Sequence, residues 1–464
     1  MRPNFDAPLG VLSAAYQGLR RAADLRGALG VAERRRALKA LRATLLDKAK
    51  AFADALNEDF RGRSRHESLL TEVSLVISAI DYTLPRLERW AKPTRQALEW
   101  PHSTASAQLI KQPRGIAGII GPSNYPLQLA LMPLIGALSA GCRTILKPSE
   151  AMPRVADLLQ TSLSGEVDPE VLSVVCGGPE VAAALTELPL DVLLFTGSHR
   201  VGVKVAEAAA ARLTPVLLEL GGKSPVIVDR GADLRRSAEA IAHGKLLNAG
   251  QTCVAPDYVL APREHIEPFA ALLKSAAAKL YPDPTTGDYT AIRSDAAIAR
   301  LRRLEAGQNT AALFSSSLKE PLYDPKLVLS PPLESEIMQE EIFGPLLPLL
   351  AYDEIDDAIS VVKALPSPLV IYWFGGDGPR LEKVIASTSS GAVSLNDTVI
   401  HAGLSSLPLG GVGASGLGRY HGKAGFDSFT HERPVFRQAR FTVTSMMRPP
   451  YGATADRILS WLLR

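Results

Sequence analysis

The stretch Val192-Leu193-Leu194-Phe195-Thr196-Gly197-Ser198-His199-Arg200-Val201-Gly202 decides the fold class. Val192–Phe195 is an apolar run of strand length, and the glycine that follows leads into helical spacing from Arg200 to Ala211. A strand-turn-helix unit of this kind turns backbone N–H groups and a helix N-terminus toward whatever lies beyond the strand, a setting suited to a phosphate. Gly197, Ser198 and Gly202 are therefore candidate cofactor contacts. The segment lacks the full dinucleotide fingerprint, so a plain tight turn reads as well from these residues alone.

Working outward, further strand-like runs occur at Gly115–Ile120, Arg143–Lys147, Val171–Val175 and Val216–Glu219. Helical patterns fall between them at Pro126–Ser139, Pro153–Leu163 and Glu180–Leu188. This alternation predicts an α/β fold with a mostly parallel sheet covered by helices. A second cycle follows Gly222, with a strand at Pro225–Val228, a helix over Leu234–Leu247, a strand at Asp257–Ala261 and a helix near Glu267–Leu280. Two α/β domains joined near Gly221–Gly222 are expected. The first ninety residues read as amphipathic helix, notably Ala32–Phe60 and Glu67–Leu84, and Lys92–Lys111 reads as an inserted strand or hairpin. Asp283–Pro332 is less regular, and the Gly/Ser-rich Gly403–Gly425 reads as loop.

At 464 residues the chain exceeds the size at which single cores stop growing, so more than one domain is expected. It carries 51 basic and 48 acidic residues, a net charge of +3, which implies neither a nucleic-acid nor a membrane partner. Cys142, Cys176 and Cys253 make no disulfide framework and no metal-ligand spacing, so a reducing cytoplasm and no structural metal are expected. Met1–Gly30 lacks the apolar stretch of a signal peptide. The uncharged Gly115–Cys142 is interrupted by Pro122, Asn124, Pro126 and Pro133 and reads as strand, loop and helix rather than a membrane span. The amphipathic end, Ala455–Arg464, is too short to cross a bilayer and is expected to pack on the surface.

Chemistry concentrates at a few positions. Cys253, in Asn248-Ala249-Gly250-Gln251-Thr252-Cys253, is a candidate nucleophile, and Glu219, before Gly221-Gly222, a candidate general base. A buried apolar thiol and a solvated carboxylate are the plain alternatives. Asn124, between Pro122 and Pro126, has an amide suited to an oxyanion or simply to a turn. Lys147 and Glu150 follow a strand end, where they could meet ribose hydroxyls or remain a solvated lysine and a helix-start acid. The literal G-x-G-x-x-G at Gly411–Gly416 lacks a preceding strand and a following helix, and His421 has no metal-spaced partner; both read as structural.

Taken together, Leu218-Glu219-Leu220-Gly221-Gly222-Lys223-Ser224-Pro225, Asn248–Cys253, Gln339-Glu340-Glu341-Ile342-Phe343-Gly344-Pro345 and Tyr420-His421-Gly422-Lys423 resemble the aldehyde dehydrogenase superfamily. The branch is similar to the class 3 and coniferyl-aldehyde-dehydrogenase-like enzymes, and the resemblance runs from about Val31 to Leu463. It implies a Rossmann-like NAD-binding domain over 1–91 and 112–220 and a catalytic domain over 221–400. A bridging, dimer-forming element would comprise 92–111 and 401–440, with a tail over 441–464. It implies Cys253 as nucleophile, Glu219 as base, and Asn124 with the Cys253 N–H as oxyanion hole. Lys147 and Glu150 would contact ribose, Gly197–Gly202 the pyrophosphate, and Glu341 and Phe343 the nicotinamide ribose. The implied activity is NAD-dependent oxidation of a hydrophobic, medium-chain or aromatic aldehyde to its acid; Glu150 favours NAD, and NADP is possible because the class 3 side often tolerates both. The implied assembly is a homodimer. Ser123 and Leu409 depart from the aromatic residues usual in the family. A cysteine esterase or thioesterase, and a non-catalytic protein on the same fold, are the alternatives.

Overall fold

A computed structural model describes residues 9–440 and 442–463. Its centre is a six-stranded sheet in the order Gly416–Leu417, Val216–Leu220, Val192–Gly197, Ile116–Ile120, Arg143–Lys147, Leu172–Val174. Five of these strands are parallel, and Gly416–Leu417 adds an antiparallel edge. Both faces of the parallel strands are apolar, as their unbroken runs require. Ala117, Ile119, Val192 and Leu194 enter one core, and Ile116, Ile120, Leu193 and Phe195 enter the other. Strand order reverses between Ile116–Ile120 and Val192–Gly197. Their carboxyl ends carry the Asn124 loop and the Gly197–Ser198 turn, at the crevice where open α/β sheets bind ligands.

A second sheet of seven strands runs Thr310–Ala312, Lys326–Leu329, Leu346–Tyr352, Tyr258–Pro262, Pro225–Val228, Val370–Phe374, Ala392–Leu395, parallel except at its first pair. Its core is separate from those of the first sheet. Only Gly221–Ser224 separates strand Val216–Leu220 of one sheet from Pro225–Val228 of the other. Thr94–Gln96, Ser106–Pro113 and Thr430–Arg437 form a three-stranded antiparallel sheet, so the expected hairpin is present.

Several expectations need correction. Ala32–Phe60 is two helices, Val31–Asp47 and Ala49–Asp59, parted at Lys48. Glu67–Leu84 passes through a π-helical segment, Ser68–Ser74, before Leu75–Thr83. The supposedly irregular Asp283–Pro332 contains the helix Asp295–Glu305, started by Ser294, whose hydroxyl accepts from the Ala297 N–H at 3.2 Å. Of 401–440, only Thr430–Arg437 joins the three-stranded sheet. Gly416–Leu417 pairs with the six-stranded sheet, and the helix Gly422–Ser428 lies on the helix Gln128–Ala140, where Gly136 and Gly425 allow close approach. The end of the chain is helical over Ala453–Leu462, and Trp461 packs on Trp100 with ring centroids 4.4 Å apart. Residues 1–8 and Arg464, on which part of the leader and tail expectations fall, lie outside the described residues.

Candidate active site

The nucleophile loop is built on unusual backbone. After the helix Leu234–Leu246, Asn248, Ala249 and Gly250 take φ values of 51°, 49° and 75°. Left-handed conformations at two non-glycine residues cost energy and persist only where the surroundings enforce them. Here a buried network does so. Asn248 donates through Nδ2 to the carbonyls of Asn124 (3.2 Å) and Gln251 (3.1 Å), and its N–H donates to Glu67 Oε2 at 3.1 Å. Gln251 Nε2 donates to the Asn248 and Ala291 carbonyls, each at 3.0 Å. Gly250 must lack a side chain, because a Cβ would stand 2.4 Å from the Gly344 carbonyl oxygen.

Asn124 reaches the same loop from the first sheet. Its Nδ2 donates to the Gln251 carbonyl at 3.1 Å, leaving its second amide proton outside that bond. Tyr125 OH and Thr252 Oγ1 meet at 2.9 Å. Behind them, Arg63 and Glu72, both fully buried, pair at 2.7 Å. Arg63 also donates to the Asn124 carbonyl at 3.0 Å, and Glu72 accepts the N–H groups of Leu127 (3.0 Å) and Gln128 (2.7 Å). Sequence reading missed Arg63, Glu67 and Glu72. The signal available was two acids and an arginine recurring amid a predominantly apolar helical face.

Cys253, Asn124 and Glu219 line one cavity of about 700 Å³, together with Gly197, Ser198, Glu341 and Phe343. Glu219 is the penultimate residue of its strand, flanked by Thr196 on one side and Gly416 on the other. It is buried, and its Oε1 has no hydrogen-bond partner among the described residues. Burial holds its carboxyl well above the usual range. Glu341 is pushed up to about 8, first by burial and then by Asp257. Burial, with the charges of Glu341 and Glu219 behind it, pushes the Cys253 thiol up to about 12. The resting sulfur is therefore a neutral thiol beside two acids held toward their neutral forms.

The other segments fall into place around this centre. Lys223, missed as a contributor, pairs with Asp257 at 2.6 Å and donates to the Ile337 (2.6 Å) and Glu340 (3.0 Å) carbonyls, while Asp257 accepts the Ile342 N–H at 3.0 Å. This buried pair fixes Glu341 and Phe343. Gly221 lets Glu341 close in, since a Cβ there would lie 2.0 Å from Glu341 Oε2. Ser198 precedes the helix His199–Ala210 and, with Gly197, faces the cavity. Gly202 does not line it; it packs the helix on Leu220, which a Cβ would strike at 2.6 Å. Lys147 ends its strand, buried, and is ion-paired with Glu150; neither lines the cavity that holds Cys253. The Gly411–Gly416 segment is a short turn and strand edge backing Glu219.

The sequence pattern of the aldehyde dehydrogenase family matches residues 12–435. A probable coniferyl aldehyde dehydrogenase of Pseudomonas aeruginosa is 42% identical over 91% of this chain and 90% of its own. Among solved structures, the substrate-bound state of Staphylococcus aureus AldH superposes with a TM-score of 0.92 at 34% identity, covering 97% of this chain and 99% of that one. A Mycobacterium tuberculosis aldehyde dehydrogenase complexed with NAD+ reaches a TM-score of 0.84 at 27% identity, covering 94% and 92%. A strand-turn-helix unit and a cysteine loop meeting at one cavity thus stand in a chain that belongs to the aldehyde dehydrogenase family, on its class 3 and coniferyl-aldehyde-dehydrogenase side.

Proposed function

We propose that Cys253, Asn124 and Glu219 are the nucleophile, the oxyanion donor and the general base of an NAD(P)-dependent aldehyde oxidation. The observation that carries this is their convergence, from three distant segments, on a single cavity. That cavity also fits a dinucleotide. The buried oxygens Thr196 Oγ1, Glu219 Oε1 and Glu341 Oε1 have no hydrogen-bond partners among the described residues, and the turn at Gly197–Ser198 opens a twelve-residue helix toward the same space. Gly197, Ser198, Glu341 and Phe343 would hold the cofactor beside the reaction centre, and the Lys147–Glu150 pair, outside that cavity at the end of the neighbouring strand, would meet the ribose that extends beyond it. When bound, NAD(P) supplies the acceptor for the hydride that leaves the aldehyde carbon.

The chain's own groups do the rest. Cys253 Sγ gives up its proton and bonds to the aldehyde carbon, and the carbonyl oxygen takes the negative charge. The free amide proton of Asn124 and the Cys253 N–H hold that oxygen. At the acid oxidation level the adduct on Cys253 is a thioester. Glu219 then takes a proton from water, the hydroxyl adds to the acyl carbon, the C–S bond breaks, and the acid leaves as the sulfur regains a proton. Because the resting thiol is neutral, the first proton transfer needs a base, and the carboxylate form of Glu341, whose charge bears on the thiol more than that of Glu219 does, takes that proton and leaves Glu219 to the water of the second step.

A hydrophobic or aromatic aldehyde is supported by Leu129, Leu369, Leu409 and Tyr420 in the cavity wall and by the coniferyl-aldehyde name of the Pseudomonas relative. A homodimer is supported by the three-stranded sheet, which leaves Phe436 52% exposed, and by Trp100, 51% exposed in the connection between its first two strands. A cytoplasmic setting is supported by three free cysteines, and among the described residues no helix is long and apolar enough to cross a membrane. Assaying aromatic and aliphatic aldehydes with NAD and with NADP tests the reading. Stoichiometric acid and reduced cofactor are expected; ester or thioester hydrolysis without cofactor reduction would contradict it.

A further inference from the structure

The catalytic cavity contains a cation whose side chain is unpaired among the described residues. Arg293 precedes the helix Asp295–Glu305, and its backbone N–H is anchored to Gln251 Oε1 at 3.1 Å. Its side chain lines the cavity but makes no hydrogen bond or ion pair among the described residues, and Nε is buried without an acceptor. Arg300, on the same helix and lining the same cavity, is the contrast. It donates to the Ile342 carbonyl at 2.7 Å, to the Glu341 carbonyl, and to Glu340 at 3.2 Å. A partly desolvated guanidinium with no acceptor is unfavourable unless a ligand supplies one.

The remaining charges of the cavity point to the sign of that ligand. Arg200, contributed by the other sheet, is also without a described partner, and it stands beside Ser198 and His199 at the opening of the helix His199–Ala210. The acids do not offset these cations: Glu340 is engaged by Arg300 and Arg303, and Glu219 and Glu341 are held toward neutrality by burial. Burial alone lowers the Arg293 pKa, with no acid opposing it. An anion entering the cavity would therefore meet Arg293 from the seven-stranded side and a helix N-terminus from the six-stranded side.

We propose that Arg293 is a cofactor-binding residue, its guanidinium taking a pyrophosphate oxygen of the dinucleotide in the cavity that the Gly197–Ser198 turn also lines. This rests on the NAD(P) reading above and adds to Glu341 and Phe343 a charged contact from the catalytic half of the chain. Cofactor binding would thereby hold the two halves together across the cavity.

The test measures NADH affinity by fluorescence, with ADP-ribose and adenosine as competing probes, in the wild type, R293Q and R293K. R293Q is expected to weaken NADH and ADP-ribose by about tenfold or more while leaving adenosine unchanged, and the difference is expected to shrink at high salt. R293K, which keeps the charge but loses the fork, is expected to fall between. If R293Q does not fold, R293K decides, since it too must weaken ADP-ribose. Unchanged ADP-ribose affinity in folded variants overturns the assignment. So does a rise in KM confined to aldehydes that carry a carboxylate, which would make the substrate the source of the anion. A wild type that binds no NADH contradicts the proposed function itself.

Discussion

The catalytic cavity is lined by two sets of groups built on opposite electrostatic plans. Around the sulfur, desolvation raises the pKa values of the buried Glu219 and of the part-exposed Cys253 and Glu341, and the charges that position them, Arg63–Glu72 and Lys223–Asp257, are spent in closed pairs behind the surface. Elsewhere in the same wall, Arg200, beside a helix N-terminus, and Arg293, on the opposite sheet's side, make no side-chain hydrogen bond or ion pair among the described residues. The contrast teaches how one cavity can bind through charge and react through proton transfer. Charge is unscreened where a ligand anion must be gripped, and suppressed where a sulfur and a water must lose protons in turn.

This division of labour predicts which measurements move together. Cys253→Ala is expected to abolish aldehyde oxidation while NADH still binds, which a fluorescence titration beside the activity assay would show; lost binding would mean the two sets are not separable. Asn124→Ala is expected to slow turnover by about 100- to 1000-fold with little change in cofactor affinity. Glu219→Gln is expected to form reduced cofactor in a single burst and then stall. In the wild type, ionisation of Glu219 is required and its pKa is raised, so the steady-state rate should climb as pH rises through that pKa; the variant should lose the climb.

Two smaller effects concern the supports. Arg63→Met strands the fully buried Glu72, so unfolding measurements should register a loss of about 3–5 kcal/mol. Glu341, raised to about 8 from a usual 4.5, binds its proton more tightly folded than unfolded. Its contribution to stability is thus full below the usual value and lost as pH rises toward 8. Melting curves of Glu341→Gln should therefore decline less between pH 5 and pH 8 than those of the wild type; an equal decline would show that Glu341 is ionised in the free protein.

Much of this arrangement is legible in the chain because parallel strands buried on both faces are written as unbroken apolar runs. Arg143–Lys147, Pro225–Val228 and the helix Pro153–Leu163 agree with the structure to the residue. The two glycine-rich segments were separable by context. Gly197 follows a strand and precedes a helix, whereas the literal motif at Gly411–Gly416 only lets backbone pass close, a Cβ at Gly416 standing 2.4 Å from the Leu218 carbonyl oxygen. The buried supports were not legible. Glu67 and Glu72 follow ordinary helical spacing, and nothing local says that their partners lie at Thr290, Asn248 and Leu127. Arg293 was hidden for a related reason: the helix it precedes is short and rich in arginine, so it reads as surface. The break at Lys48 and the π-helical stretch at Ser68–Ser74 likewise answer to packing rather than propensity.

The most direct test of the central claim is mass spectrometry of the Glu219→Gln variant after mixing with NAD and an aromatic aldehyde. The account predicts an acyl adduct on the peptide bearing Cys253, heavier by the mass of the aldehyde less two hydrogens. An unmodified Cys253 after reduced cofactor has formed, or an adduct on Cys142 or Cys176 instead, would contradict it.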